Sequence, residues 1–277
     1  MNILITGANG QLGNEMRVLS AQHTHHTYFF TDIDELDITS REAVKQFVSG
    51  NAIDIIVNCA AYTNVDKAEI DENLAHKINA SAVENLGLSG ARVIHISTDY
   101  VFSGEACVPY AETDSVAPRT AYGRTKREGE KLLQAVSDEA IIIRTAWLYS
   151  TFGNNFVKTM LRLGSERKEL GVVFDQTGTP CYARDLAKVV LLCLDKDFEG
   201  QILHFSNEGV CSWYDFALKI MQLGKKDCHV RPIRTADYPT HATRPAYSVL
   251  DKADIKQFLG IEIPHWEESL NECLKRL

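Results

Sequence analysis

Residues 1–13, MNILITGANGQLG, join a short apolar run to three glycines, Gly7, Gly10 and Gly13. The apolar run predicts a buried strand, and residues 11–19 predict a helix that begins directly after the loop. Glycines at such a junction permit a tight turn and a close approach of the main chain to a phosphate, while the helix N-terminus offers free N–H groups. This stretch therefore predicts a strand–loop–helix unit that binds the pyrophosphate of a dinucleotide.

An acidic residue follows at the spacing that a dinucleotide site needs. A second apolar run, HTYFFTD, ends at Asp32, which lies 19 residues beyond Gly13. An acid at this distance can accept hydrogen bonds from the adenosine ribose hydroxyls. Its charge would repel a 2′-phosphate and so favours NADH, but no neighbouring arginine decides the matter. We therefore expect NADPH or NADH as cofactor and leave the choice between them open.

Strand-like and helical patterns alternate through the first half of the chain. The strand-like runs are NILIT, TYFF, DIIVN, RVIHIS and AIIIRTAW. Helical patterns lie between them, near residues 11–20, 40–49, 66–88 and 121–135. This alternation predicts an α/β protein with a Rossmann-like, doubly wound parallel sheet, whose ligands bind beyond the carboxyl ends of the strands.

In the second half of the chain, strand-like and helical patterns alternate less regularly. We expect a dinucleotide-binding domain over residues 1–150 and a smaller, mainly substrate-binding lobe over residues 151–277. Segments near residues 184–206, which include a buried helix and the strand QILHFSN, are expected to return to the first domain. The arginine-rich loop over residues 229–251 is expected to cap a site, its arginines binding a diphosphate or remaining as solvated loop charges. These arginines are Arg231, Arg234 and Arg244.

A tyrosine and a lysine four residues apart are the candidate catalytic residues. They are Tyr122 and Lys126 of AYGRTKREGE, and Thr98 of IHISTDYVFSG adds a hydroxyl upstream. On a helix the pair lies on one face, one turn apart. A free tyrosine titrates near pH 10, so the lysine cation would stabilise its phenolate during proton transfer. The trio predicts carbonyl reduction, whereas the alternative is an exposed amphipathic helix with an incidental tyrosine.

Composition narrows the classes of function. The chain of 277 residues is 45% hydrophobic and 24% charged, as expected for a globular protein. No apolar run approaches the roughly 18 residues of a membrane span, and the strand at the N-terminus leaves no room for a signal peptide, so we expect a cytoplasmic protein. Seven cysteines without a CxxC motif predict reduced thiols and no metal site. The net charge of −8 disfavours nucleic acid and anionic membranes as partners.

Taken in order, the motifs resemble those of the extended short-chain dehydrogenases/reductases and, within them, the dTDP-4-dehydrorhamnose reductases. The resemblance covers nearly the whole chain. Its motifs are NILITGANGQLG, VNCAAYTNVDKAE, STDYVFSG, YGRTKREGE, RTAWLY, GNNFVKTML, DQTGTPCYARDLA and ATRPAYSVLD.

The resemblance assigns site residues by position. It implies catalytic roles for Thr98, Tyr122 and Lys126, with Lys126 also holding the nicotinamide ribose. Together with the glycine loop, it predicts a cofactor site formed by Gly7, Gly10, Gln11, Leu12, Gly13, Asp32, Asp37, Ile38, Ala61, Tyr62, Thr63, Tyr122 and Lys126. Substrate contacts are expected from Thr98, Asp99, Trp147 and Arg244, with a buried core aromatic as the alternative for Trp147.

The implied activity is NAD(P)H-dependent reduction of the C4 keto group of dTDP-4-dehydro-L-rhamnose to dTDP-L-rhamnose, for polysaccharide biosynthesis. Related dehydratases typically carry Thr-Asp-Glu, whereas this chain has Tyr100 after Thr98 and Asp99. It therefore lacks the acid that eliminating water needs. An epimerase, another nucleotide-sugar reductase and a non-catalytic dinucleotide-binding regulatory subunit remain as alternatives.

Oligomeric state and metal dependence stay open at this point. Glu15, on the first helix, matches a position that helps bind Mg²⁺ at a dimer interface in some members of the family. The competing interpretation is a solvated helix glutamate, and no clear motif supports Mg²⁺. A homodimer is therefore one expectation, and the nucleotide-diphosphate sugar is the expected partner molecule.

Overall fold

The computed structural model describes residues 1–197 and 199–277. Its strands are β1 Asn2–Thr6, β2 Thr27–Thr31, β3 Ile55–Asn58, β4 Arg92–Thr98, β5 Ile141–Thr145, β6 Leu148–Tyr149, β7 Glu169–Val173, β8 Thr177–Gly178, β9 Cys181–Tyr182, β10 Gln201–His204, β11 Cys211–Ser212 and β12 His229–Ile233. Its α-helices are α1 Gln11–Ser20, α2 Arg41–Gly50, α3 Val65–Ala68, α4 Glu72–His76, α5 Ala82–Gly87, α6 Ala121–Val136, α7 Phe156–Glu166, α8 Ala183–Leu194, α9 Trp213–Leu223, α10 Ala253–Leu259 and α11 Trp266–Arg276.

A six-stranded parallel sheet forms the centre of the molecule, in the order β10-β5-β4-β3-β1-β2. Its strands are apolar almost throughout because helices cover both faces. Successive residues of β1 point to opposite faces, so Ile3 and Ile5 pack towards α1 and α8, whereas Leu4 packs towards α2 and α5. The predicted doubly wound α/β fold is confirmed.

The helical pattern predicted over residues 66–88 is wrong as a single helix. The segment contains α3, α4, a π-helical segment at Lys77–Ser81, and α5. Asn64 caps the start of α3 by accepting from Lys67 N–H, and Asp71 restarts the helix by capping α4, where it accepts from Leu74 N–H. The strand predicted over AIIIRTAW also ends early, at Thr145.

The later elements divide between the sheet and a second core. Strand β10 extends the sheet by pairing in parallel with β5, and α8 packs against α1. Helices α7, α9 and α11 enclose a separate cluster that includes Val157, Phe216 and Trp266. The predicted loop after residue 228 contains β12, which pairs with β7. Pro232 is tolerated there because both strands of a two-stranded sheet are edges.

The two-domain division with a boundary near residue 150 stays a prediction. Within the described residues, no helix combines the length and the apolarity that crossing a membrane requires.

Candidate active site

The glycine loop between β1 and α1 is shaped by close approach to its neighbours. Gly7 has φ +61°, and a Cβ there would lie 2.6 Å from Ala60 N at the end of β3. A Cβ at Gly13 would lie 2.5 Å from Ala8 Cα. Helix α1 begins after Gly10 with no side-chain cap, which leaves its N-terminal N–H groups available to an anion. The loop therefore fits the pyrophosphate of a dinucleotide.

Asp32 lies beside this loop at the end of β2. Its Oδ2 accepts from Asn9 N–H at 3.0 Å, and its Oδ1 accepts from Ile33 N–H at 2.9 Å. The carboxylate thus fixes the main chain of the loop. A cavity of about 350 Å³ opens here, and the predicted cofactor residues that line it are Gly7, Gly10, Asp32, Asp37, Ile38 and Ala61.

The other predicted cofactor residues of the loops lie around this cavity rather than on its wall. Leu12 is buried in the core, so only its main chain can reach a ligand, and Gln11 accepts from Asn155 Nδ2 at 3.0 Å. The Tyr62 N–H donates to Asn79 Oδ1 at 2.8 Å, and Thr63 is exposed.

Thr98 and Tyr122 meet at the carboxyl end of β4. Thr98 ends the strand, and Tyr122 lies in the first turn of α6, a helix that Thr120 caps by accepting from Gly123 N–H. Burial raises the pKa of Tyr122 well above its ordinary value, and a hydrogen bond with Thr98 offsets only part of that shift. The phenol therefore stays protonated at neutral pH, as a proton donor must be.

Asp99 is buried next to Thr98. Its Oδ1 accepts from Thr98 Oγ1 at 2.9 Å, and burial raises the pKa of Asp99 to about 7 despite that hydrogen bond. A carboxyl group with this pKa exchanges its proton near neutrality. The sequence pattern gave no sign of this property, because it depends on burial.

Lys126 is buried, and its contacts differ from those expected. Its Nζ donates to the Ile96 carbonyl at 2.6 Å and lies 3.2 Å from His95 Nε2. Burial lowers the pKa of Lys126 to about 8, against the opposing effect of Glu130. We expected a lysine cation to lower the pKa of Tyr122. In the structure, burial is the largest influence on this phenol and raises its pKa.

A buried charge network that the sequence reasoning missed fixes α6 against the sheet. Glu130 accepts from Arg144 Nε and Nη2 at 2.9 and 2.8 Å, from Arg127 Nη1 at 2.7 Å and from Ser97 Oγ at 2.6 Å. Burial alone would raise the pKa of Glu130, but Arg144 outweighs it and holds that pKa below its ordinary value. The network joins α6 to β4 and β5 about two turns from Tyr122.

Arg244 lines a second cavity, of about 210 Å³, together with Tyr100 and Arg119. Its Nη2 lies 2.7 Å from Asp66 Oδ2, and its Nη1 donates to Tyr100 Oη at 3.4 Å. Two other predicted arginines do not reach this cavity. Arg231 pairs with Glu169 on the exposed β7–β12 ribbon, and Arg234 lies at the end of the same ribbon.

Trp147 follows β5 in a strained conformation, with φ +45°. Such a backbone costs a bulky residue on the order of 1–3 kcal/mol. Its ring stacks on Trp213 of α9, with centroids 3.6 Å apart, and it remains half-exposed. Both proposed roles, a substrate contact and a core aromatic, therefore stay open for this residue.

Comparison with known proteins finds relatives over the full length. The RmlD substrate binding domain family matches residues 1–277. A dTDP-4-dehydrorhamnose reductase of Aggregatibacter actinomycetemcomitans is 42% identical, over 97% of this chain and 96% of the relative. The chain belongs to the dTDP-4-dehydrorhamnose reductase family.

Solved structures of the dTDP-4-dehydrorhamnose reductase family superpose closely. The Clostridium acetobutylicum protein gives a TM-score of 0.96 at 45% identity, covering 100% of this chain and 99% of the other. The Bacillus anthracis protein, solved in complex with NADP, gives 0.96 at 38% identity with the same coverage.

In this member of the dTDP-4-dehydrorhamnose reductase family, Glu15 is not the solvated glutamate that was one interpretation. It is 1% exposed, because α1 packs against α8. Its Oε1 accepts from Ser150 Oγ at 2.7 Å, and its Oε2 lies 3.2 Å from Arg184 Nη1. The guanidinium supplies the positive charge beside this carboxylate, so these residues do not fit Mg²⁺.

Another group of potential metal ligands lies in the run HTHHT, which the sequence reasoning passed over. Asp195 Oδ1 lies 3.0 Å from His26 Nε2 and 3.4 Å from His25 Nε2. His26 Nδ1 is buried without a partner among the described residues. If Nε2 held a metal, Nδ1 would carry a proton with no acceptor, so we describe the cluster as hydrogen-bonded side chains.

Proposed function

We propose that this protein reduces the C4 keto group of dTDP-4-dehydro-L-rhamnose to give dTDP-L-rhamnose, with NADPH or NADH as reductant. Such a product feeds cell-surface polysaccharide biosynthesis. The observation that carries the proposal is the contact between Thr98 and the protonated Tyr122 at the end of β4, with Lys126 one turn further along α6. Family membership supports the substrate, since the relatives carry this reductase name.

The proposed chemistry is a single reduction. When bound at the glycine loop, the reduced nicotinamide cofactor would supply the hydride for C4 of the sugar. Tyr122 donates its phenolic proton to the oxygen that becomes the hydroxyl. The Thr98 hydroxyl, turned from Asp99 to the substrate, would hold the same oxygen by a hydrogen bond. Tyr122 is left as a phenolate and must regain a proton before the next turnover. Lys126 lies on the same helix face, where its charge state governs that return.

The remaining proposed roles concern binding. The glycine loop and the α1 N-terminus would hold the pyrophosphate of the cofactor, and Asp32 would face the adenosine ribose. Arg244 would bind the substrate diphosphate, exchanging its pairing with Asp66 for a phosphate. Asp99 would orient the sugar by a hydrogen bond, and Trp147 would pack on its 6-deoxy face.

Other expectations stay predictions. A homodimer is tested by sedimentation of the purified protein, and a cytoplasmic location by fractionation of the source cells. The non-catalytic regulatory role would require that Thr98, Tyr122 and Lys126 take part in no reaction. The turnover assay described next tests it.

The deciding experiment mixes purified protein with NADPH or NADH and a panel of nucleotide-diphosphate 4-keto sugars. Loss of the absorbance of the reduced nicotinamide reports turnover, and the product is identified by mass and NMR. We expect turnover with the dTDP 6-deoxy-4-keto sugar. Cofactor binding without turnover of any sugar on the panel would refute the reductase and favour the regulatory role.

A further inference from the structure

A row of buried polar side chains crosses the otherwise apolar sheet. Thr6 of β1 is in register with Asn58 of β3, and Asn58 is in register with His95 of β4. The three are at most 1% exposed, and the row ends at the equally buried Lys126. Buried polar groups in a sheet core cost free energy unless they are hydrogen-bonded, so their contacts are informative.

The contacts fix the direction of every hydrogen bond in this row. Asn58 Oδ1 accepts from Ala60 N–H at 3.1 Å, and a backbone N–H can only donate. Asn58 Nδ2 therefore faces His95 Nδ1, 3.0 Å away, as the donor. His95 Nδ1 must then be the unprotonated nitrogen of a neutral imidazole, which places the ring proton on Nε2.

This proton points at Lys126. The distance from His95 Nε2 to Lys126 Nζ is 3.2 Å. An N–H can bond there only to an amine that keeps a lone pair, because an ammonium has three donors and no acceptor. Burial and the nearby lysine both lower the pKa of His95 well below its ordinary value, so the ring stays neutral.

We propose that His95 is a positioning residue that presents its Nε2–H to Lys126 and thereby favours the neutral amine of Lys126 over the ammonium. The consequence for catalysis rests on the proposed function. A lysine that exchanges its proton near neutral pH can return a proton to the Tyr122 phenolate and take the next one from solvent. His95 thus sets the pH range over which Tyr122 is restored.

The other titratable groups around Lys126 do not explain this effect. Glu130, on the same helix, acts in the opposite direction by raising the pKa of Lys126, and it is already paired with Arg144. Tyr122 lies one turn earlier on α6. Asp99, on the 3₁₀ turn that packs against α6, acts on Tyr122.

The test follows the titration of Lys126 directly, by NMR of protein labelled with ¹³C at the lysine Cε. The Lys126 signal is assigned by its loss in Lys126→Met. We expect Lys126 in the unsubstituted protein to titrate well below the exposed lysines. His95→Gln should raise its midpoint by about one pH unit or more, because the introduced amide can turn its oxygen to an ammonium.

Two further variants sharpen the result. His95→Asn introduces a neutral amide on a shorter side chain, removes the Nε2–H without adding a charge, and should also raise the midpoint. Thr6→Val is the matched control, since Ala60 N–H still fixes the Asn58 amide, and the midpoint of Lys126 should not move. If Lys126 titrates with the exposed lysines, or if His95→Gln leaves its midpoint unchanged, the proposal is overturned. Should His95→Gln fail to fold, His95→Asn decides by the same criterion.

The titration needs no turnover, so its failure and the failure of the proposed function are separate results. In an active reductase, the alkaline limb of the kcat–pH profile should move upward in His95→Gln by the same amount as the Lys126 midpoint. A limb that stays in place while the midpoint moves would overturn the catalytic part of the proposal.

Discussion

Replacing Asp99 with asparagine should stabilise the protein at alkaline pH and much less at acidic pH. Burial raises the pKa of Asp99 from 3.8 to about 7, so the folded protein favours the protonated carboxyl group. The stability that the protonated Asp99 contributes is fully present below 3.8, the pKa of this group in the unfolded chain. It is lost as the pH rises through about 7. At about 1.4 kcal/mol per pKa unit, the complete loss is at most about 4 kcal/mol, of which about 2–3 kcal/mol falls between pH 5 and pH 8.

Asparagine cannot ionise, and its side-chain oxygen can still accept from Thr98. The difference in free energy of unfolding between Asp99→Asn and the unsubstituted protein should therefore change with pH. From pH 5 to pH 8 it should shift by about 2–3 kcal/mol in favour of the variant. Urea unfolding followed by circular dichroism at both pH values measures this difference. Asp227→Asn, at an exposed acid, is the control and should show no such gain. If Asp99→Asn and the control behave alike, the fold does not raise the pKa of Asp99 and the reasoning fails.

Three further predictions test individual residues of the proposed site. Tyr122→Phe should lower kcat about 10²–10⁴-fold while the dissociation constant for NADPH, measured by fluorescence titration, changes little; more than half of the original kcat would remove Tyr122 from the role of proton donor. Asp32→Ala should raise the KM for NADH more than that for NADPH, because only NADH offers a 2′-hydroxyl to the lost acceptor. Equal effects would mean that Asp32 acts only by holding Asn9. Trp147→Ala should cost on the order of 1–3 kcal/mol in kcat/KM for the keto sugar, whereas full kcat/KM with a lower Tm would make the stack on Trp213 purely structural.

The parts of the fold that local pattern controls could be predicted from the sequence. The glycine loop needs glycine at Gly13 because Ala8 lies against it, and at Gly7 because the turn has a positive φ there. The β-strands of the main sheet are nearly continuous apolar runs. The break at residues 69–71 also has a local cause, since Asp71 is a helix-capping residue that starts α4.

Features that depend on neighbours distant in sequence could not be predicted. Glu15 reads as an ordinary helix glutamate until α8 brings Arg184 against it. The pKa of Asp99 depends on how deeply the turn is buried, and no residue type reveals that depth. The orientation of His95 requires the register of three strands, which hydrophobic pattern alone does not provide.

The charge network around Glu130 fixes the helix that carries the proposed catalytic groups and leaves the neighbouring surface loop free to vary in sequence. Turning α6 by one residue, about 100°, would strand Glu130 and Arg144 without partners in the core, and breaking a buried pair in this way costs about 3–5 kcal/mol. The helix that carries Tyr122 and Lys126 is thus held against β4 and β5 by the contacts of Glu130, which do not involve the surface loop over residues 103–119. Insertions or substitutions in that loop can reshape the cavity beside Arg244 while the spacing of the proposed catalytic groups stays constant. Changes of the loop alone can therefore alter the cavity proposed to bind the diphosphate without moving the groups proposed to carry out the reduction.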